Sequence, residues 1–194
     1  MERKGYEAVV MGVSAGGISA LEALLPVLSP DFHLPVLVVQ HQRPDAGDFL
    51  SLHFDKHCGL NVKEAEDKEP LTGGTIYFAP ANYHLLVEAG KTLALSTQEK
   101  ELFSRPSIDV LFETAAEAYR DRLIGIILTG ANSDGTRGMI RIKELGGYLI
   151  AQSPESAEAG TMPRSAIENA GVETILELEQ IGPFVNQLLS ENTE

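Results

Sequence analysis

The chain has 194 residues, 43% of them hydrophobic and 22% charged, with one cysteine and a formal net charge of −13. That length suits one domain able to bury a core, and the composition is that of a soluble globular protein. The acidic balance argues against non-specific binding to nucleic acid or to an anionic membrane, and the lone Cys58 excludes an internal disulfide and points to a reducing cytoplasm. No apolar run approaches the roughly 18 residues of a membrane helix, so no membrane insertion is expected. The apolar run that follows the basic residues of MERKGYEAVV is too short for a secretory leader.

Tyr6–Val13 is a short, valine-rich run stopped by glycine and predicts a buried strand. Ile18–Leu28 has helical spacing, with Ile18, Leu21, Leu24, Leu25 and Leu28 on one face. Pro35–Gln40 predicts a second buried strand and Ala46–His57 a helix whose apolar side is Phe49, Leu50 and Leu52–His53. Thr75–Ala79, His84–Val87 and Lys91–Ser96 are short runs separated by turn residues, expected as a small antiparallel insertion. Ser107–Arg120 predicts a helix, with Pro106 before it and Ser107 as its cap. Strands at Leu123–Leu128 and Tyr148–Ala151 and helices at Gly135–Leu145, Pro163–Asn169 and Ile181–Ser190 complete the chain. Apolar strands alternating with helices predict an α/β fold: a doubly wound, mainly parallel sheet with a small antiparallel β-hairpin insertion.

In such sheets the site lies beyond the carboxyl ends of the strands. The first strand ends at Gly12-Val13-Ser14, the second at Gln40-His41, the LIGIIL strand at Thr129-Gly130 with Asp134 five residues after Thr129, and YLIA at Gln152. Gly12-Val13-Ser14-Ala15-Gly16 fits G-x-S-x-G, a strand-to-helix turn that exposes a serine oxygen beside the free N–H groups of a helix start. The Ala15 N–H is the nearest oxyanion donor. On the pattern alone Ser14 could equally cap the helix that follows. A serine needs a base. Of His33, His41, His53, His57 and His84, only His41 ends a well-formed buried strand. His53 and His57 are one helical turn apart, but no third ligand has suitable spacing, so they are expected on a solvated helix face. Asp134 is the best-placed carboxylate to orient His41, and it could instead cap the Gly135 helix. The order serine, histidine, aspartate differs from that of ordinary α/β hydrolases.

Six separated motifs now fall into one order: GVSAGG at 12–17, QH at 40–41, KEAEDKEPLTGGTIYFAPANYHLLVE at 63–88, RPSIDVLF at 105–112, ILTGANSDGTRGM at 127–139 and AQSPESAEAGTMPRSAI at 151–167. From about Glu7 to about Leu189 the chain resembles the catalytic domain of the bacterial chemotaxis protein-glutamate methylesterases, the CheB family. The resemblance implies Ser14 as nucleophile, His41 as base and Asp134 as its orienting carboxylate. It implies hydrolysis of glutamate γ-methyl esters on the cytoplasmic domain of methylated chemoreceptors, and deamidation of receptor glutamines in many members. It implies a cytoplasmic protein with neither metal nor organic cofactor. Residues 1–194 are then expected to be one catalytic domain. Family members usually carry a receiver domain before it; none lies in this chain, and one could act in trans.

The loop that usually reads T-G-M-G-x-D-G is T-G-A-N-S-D-G here, so Ala131 and Asn132 stand at the oxyanion and substrate loop. Ala15 follows the serine where threonine is usual. Because an acidic enzyme should be repelled by a glutamate-rich substrate, Arg43, Arg105, Arg137 and Arg164 are expected to ring the cleft and receive it. Three other readings stay open. One is the same triad on another ester or amide. Another is a phosphate-binding module built on the Ser14–Gly17 turn, against which stands the absence of a G-x-G-x-x-G pattern. The third is a receptor-binding scaffold without catalysis.

Overall fold

A computed structural model describes residues 5–190; the basic residues Arg3 and Lys4 that entered the leader reading lie outside that range. Nine strands are formed: β1 Ala8–Val13, β2 Val36–Gln40, β3 Asn61–Glu64, β4 Thr75–Phe78, β5 His84–Val87, β6 Leu93–Ser96, β7 Leu123–Ile127, β8 Tyr148–Gln152 and β9 Thr174–Leu176. The helices are α1 Gly17–Leu24, α2 Phe49–Asp55, α3 Ile108–Tyr119, α4 Thr136–Glu144, α5 Thr161–Ala170 and α6 Leu178–Ser190. Seven strands form one wholly parallel sheet in the order β3-β4-β2-β1-β7-β8-β9, and β5 and β6 pair separately as an antiparallel hairpin.

Alternation along β1 explains why its sequence is apolar throughout. Ala8 and Val10 face a core built with α3, α4 and α5, while Val9, Met11 and Val13 face a second core built with α1, α2 and α6. A parallel strand covered on both faces has no polar side to show. From β1 the chain winds to one edge of the sheet, then returns through β7 to the other. The C-terminal ends of β1 and β7 therefore flank the topological switch point, where open α/β sheets leave a crevice.

Three expectations are corrected. Thr75–Phe78 belongs to the parallel sheet, between β2 and β3, and only β5 and β6 make the antiparallel insertion. Four fully buried residues are too few for periodicity to tell a central parallel strand from a hairpin arm. The edge strands β3, NVKE, and β9, TIL, escape a search for apolar runs because neither is fully buried. The apolar side of α2 is Leu50 and Phe54; Phe49 and Leu52 are exposed. No helix of the described residues is long and apolar enough to cross a membrane.

Candidate active site

Ser14, His41 and Asp134 leave three different strands and meet at the switch point. The His41 Nδ1 lies 3.0 Å from the Ser14 Oγ, and its Nε2 lies 2.7 Å from the Asp134 Oδ2. Asp134 is fully buried and His41 keeps 12% side-chain exposure, so the base has an open edge and its partner has none. With the carboxylate ionised, the Nε2 proton points to Asp134 and the Nδ1 lone pair is free to take the serine proton.

The two capping alternatives are resolved by the bonds. Gly16, in the left-handed conformation at φ 76°, is the residue before α1, and no side chain caps that helix. The Ser14 hydroxyl therefore serves His41. Likewise Gly135 precedes α4 and no side chain caps it. Asp134 does cap a helix, but it is α3: its carboxylate accepts the Ile108 N–H at 2.8 Å, the Asp109 N–H at 2.9 Å and the Ser107 hydroxyl at 3.0 Å. Burial pushes the Asp134 carboxyl up, but bonds from His41, Asp109 and Ile108 outweigh it and hold it below the ordinary carboxylate value. A buried anion is thus kept ionised by the N-terminus of a helix distant in sequence.

A ring of polar residues sets the turn that carries Ser14. The Gln40 amide donates to the Ser14 carbonyl at 3.1 Å and to the His41 carbonyl at 2.7 Å. The Thr129 hydroxyl donates to the Ala15 carbonyl at 2.8 Å, and the Ser14 N–H donates to the Thr129 carbonyl at 2.9 Å. Gln152 accepts the Thr129 N–H at 2.9 Å. Gln40, Thr129 and Gln152 all stand at strand ends, and a polar residue closing an apolar run is the signal that could have marked them. Ala15 lies exposed at the start of the turn, directly after Ser14.

Gly17 approaches Gln40 so closely that a Cβ there would lie 1.9 Å from its Oε1 and 2.7 Å from a Val13 methyl. Gly17→Ala must displace the amide that ties Ser14 to His41. Overpacking of this kind costs about 1–3 kcal/mol. A lowered melting midpoint together with lost activity is expected; an unchanged midpoint would show that the turn gives way freely.

The four arginines differ in what they already hold. Arg43 is exposed, pairs with Asp45 at 3.1 Å and lines a groove of about 360 Å³ that has His41 in its wall and exposed Ile18 and Phe49 on its rim. Arg105 donates to the Asn82 side chain and to the Thr97 and Gln98 carbonyls. Arg137 lies among Asp109, Glu113 and Glu101 at 3.3–3.4 Å. Arg164 is exposed on α5 and forms no ion pair among the described residues. In the departing loop, the Asn132 side chain accepts the Asp134 N–H at 3.1 Å, an Asx turn that presents the carboxylate, and Ala131 is exposed. Elsewhere, His53 meets Glu22 at 2.9 Å and His57 bonds the His53 carbonyl at 2.7 Å. Among the described residues no group of three or more histidine, cysteine or acidic side chains could hold a metal ion.

Asp109, buried behind Asp134, accepts the Gly138 N–H at 2.9 Å and so links the starts of α3 and α4. Burial pushes its carboxyl up to about 6; the Gly138 N–H pulls it down, Asp134 adds to the rise and Arg137 opposes it. The folded protein therefore holds this proton more tightly than the unfolded chain. The resulting stability is fully present below the unfolded value of 3.8 and is lost as pH rises through about 6. Asp109→Asn lacks this titration. Its melting midpoint relative to the parent protein is expected to rise between about pH 4.5 and about pH 7.5, while the opposite titration of Asp134, common to both proteins, cancels. A difference independent of pH would refute the shift.

The CheB methylesterase family model matches residues 9–185. The chain is 52% identical over 191 residues to a Leptospira interrogans protein provisionally named protein-glutamate methylesterase/protein-glutamine glutaminase, covering 97% of this chain and 98% of that one. It is 41% identical over 187 residues to a Geobacillus kaustophilus protein of the same double name, covering 94% of this chain and 54% of that one. The crystal structure of the Thermotoga maritima CheB methylesterase catalytic domain superposes with a TM-score of 0.91 at 36% identity, covering 95% of this chain and 99% of that one. The chain thus spans nearly all of one relative and about half of the other.

Proposed function

The chain belongs to the CheB methylesterase family, and from that premise we propose that it hydrolyses glutamate γ-methyl esters on the cytoplasmic domain of chemoreceptors, with Ser14 as nucleophile. The single observation that carries the reading is the continuous bonded chain from the Ser14 Oγ through His41 to the buried Asp134, at 3.0 and 2.7 Å. As the Ser14 oxygen attacks the ester carbonyl, its proton passes to the His41 Nδ1. Asp134 stabilises the imidazolium through Nε2. The oxyanion forms beside the Ala15 N–H at the start of α1. Collapse of the tetrahedral intermediate breaks the bond to methoxide, which leaves as methanol with the proton from His41. Water then gives a proton to His41 and its oxygen to the acyl group. The serine recovers its proton, and the product is a glutamate carboxylate. A glutamine side chain can follow the same path with ammonia leaving, a second activity that the relatives' double name supports.

Arg43 on the groove wall and Arg164 on α5 are the two arginines best placed to meet the substrate, because Arg105 and Arg137 are engaged within the protein. The test is release of volatile label from receptor membranes carrying radioactive methyl esters, with a small glutamate γ-methyl ester run in parallel. Methanol from both substrates supports the reading. Hydrolysis of the small ester alone would move the substrate to another ester, and release from neither would remove the esterase assignment.

A further inference from the structure

The loop between β6 and α3 closes in a two-residue turn. The Glu101 N–H donates to the Ser104 carbonyl at 3.1 Å and the Ser104 N–H to the Glu101 carbonyl at 2.8 Å. Both central residues lie in the left-handed region, Leu102 at φ 45° and Phe103 at φ 65°. Such a turn favours Asn-Gly, since side chains at both positions meet the backbone. Here it holds two bulky apolar residues and turns them outward: Phe103 is 94% exposed and Leu102 47%. Phe103 buries almost none of its ring against the described residues. Bulky residues held in disfavoured backbone conformations and turned to solvent point to a partner outside the chain.

The foot of the turn belongs to the triad's own support. The Glu101 carboxylate meets Arg137, Arg137 meets Asp109, and the Asp109 N–H bonds Asp134. Arg105, just beyond Ser104, is fixed by Asn82 and two carbonyls. The base of the turn is therefore tied through Arg137 and Asp109 to Asp134.

Charge indicates how a protein substrate should be held. Each turnover converts a neutral ester into a carboxylate. A cationic dock would hold product more tightly than substrate, and this protein has a net charge of −13, with Arg105 and Arg137 engaged internally and Arg43 paired with Asp45. Apolar contact holds ester and product alike and lets the product leave.

We infer that the Leu102–Phe103 turn is a docking element that seats in an apolar seam on the surface of the folded protein bearing the glutamyl ester. The inference rests on the protein-substrate reading above. The double variant Leu102→Asn/Phe103→Gly keeps the turn, in the sequence it prefers, and removes the apolar tip. Its melting midpoint is expected to hold or rise, and its hydrolysis of a small glutamate γ-methyl ester to stay unchanged. With methylated receptor membranes kcat/KM should fall about tenfold, through KM, as loss of one buried aromatic side chain implies. Unchanged receptor turnover overturns the inference. So does an equal loss on both substrates, because the tip would then act through Asp134. Co-sedimentation with the same membranes in a Ser14→Ala background separates docking from chemistry. Weaker binding of the variant supports docking even where the parent chain releases no methanol. Equal binding, or none by either protein, overturns it.

Discussion

Ser14→Ala is expected to lower kcat for ester hydrolysis by about 10⁶-fold, the scale found when a triad serine is removed from a serine hydrolase. The substitution deletes one oxygen, and among the described residues that oxygen bonds only His41. The backbone of the turn keeps its own bonds: the Ser14 N–H to Thr129, and its carbonyl to Gly17 and Gln40. The melting midpoint should therefore hardly move. The capping role that the sequence alone allowed predicts the reverse, a helix weakened by about 1 kcal/mol with its chemistry intact. Melting and turnover measured on the same preparation separate the two. Activity within about tenfold of the parent chain would exclude Ser14 as nucleophile and leave a water molecule activated directly by His41. A residual rate well above the uncatalysed one remains consistent with the assignment, because the oxyanion donors and the binding groove survive the substitution.

The meeting of Ser14, His41 and Asp134 was legible in the sequence because each ends or follows a buried apolar run, and in a parallel sheet such ends converge on one edge. Ser14 and His41 sit directly on strand ends, so chain geometry alone brings them together. Asp134 lies in a loop, and there the sequence left two local roles open, orienting His41 or capping the Gly135 helix. A residue followed by glycine and a helix looks like that helix's cap, yet the carboxylate turns across the crevice to the start of α3. Local patterns report local partners, and nothing around position 134 announces residues 107–109. The same limit hid Asp109, whose partners Asp134 and Gly138 lie far along the chain. The arginines show a third kind of limit. The charge argument marked all four, but Arg137 sits among three acidic side chains contributed by α3 and the preceding loop, which only the packing of α3 on α4 brings within reach. Edge strands β3 and β9 were missed because a strand with little to bury need not look like one.

Asp134→Asn is expected to lower kcat by about 10⁴-fold, by imposing the wrong imidazole tautomer. The carboxylate accepts from four donors, Ser107 and Asp109 at Oδ1 and Ile108 and His41 at Oδ2. An amide has one oxygen to offer. With that oxygen at the Oδ1 position, the NH₂ faces His41, the Nε2 becomes an acceptor, and the ring proton moves to Nδ1. The base is then protonated on the nitrogen that should take the serine proton. With the amide reversed, His41 keeps its tautomer, but the NH₂ opposes the Asp109 N–H at the start of α3. A buried donor left unsatisfied costs about 1–3 kcal/mol. The first arrangement likewise sets the NH₂ against the Ile108 N–H, so either one leaves a backbone donor of α3 unsatisfied and lowers the melting midpoint, while only the second preserves activity. Low-field proton resonances of His41 would report which nitrogen carries the proton. Combining Asp134→Asn with Ser14→Ala should leave a rate no lower than Ser14→Ala alone, since an oriented base has no use without the nucleophile it serves. A further large loss in the double variant would mean that Asp134 also acts on an attacking water, independently of Ser14.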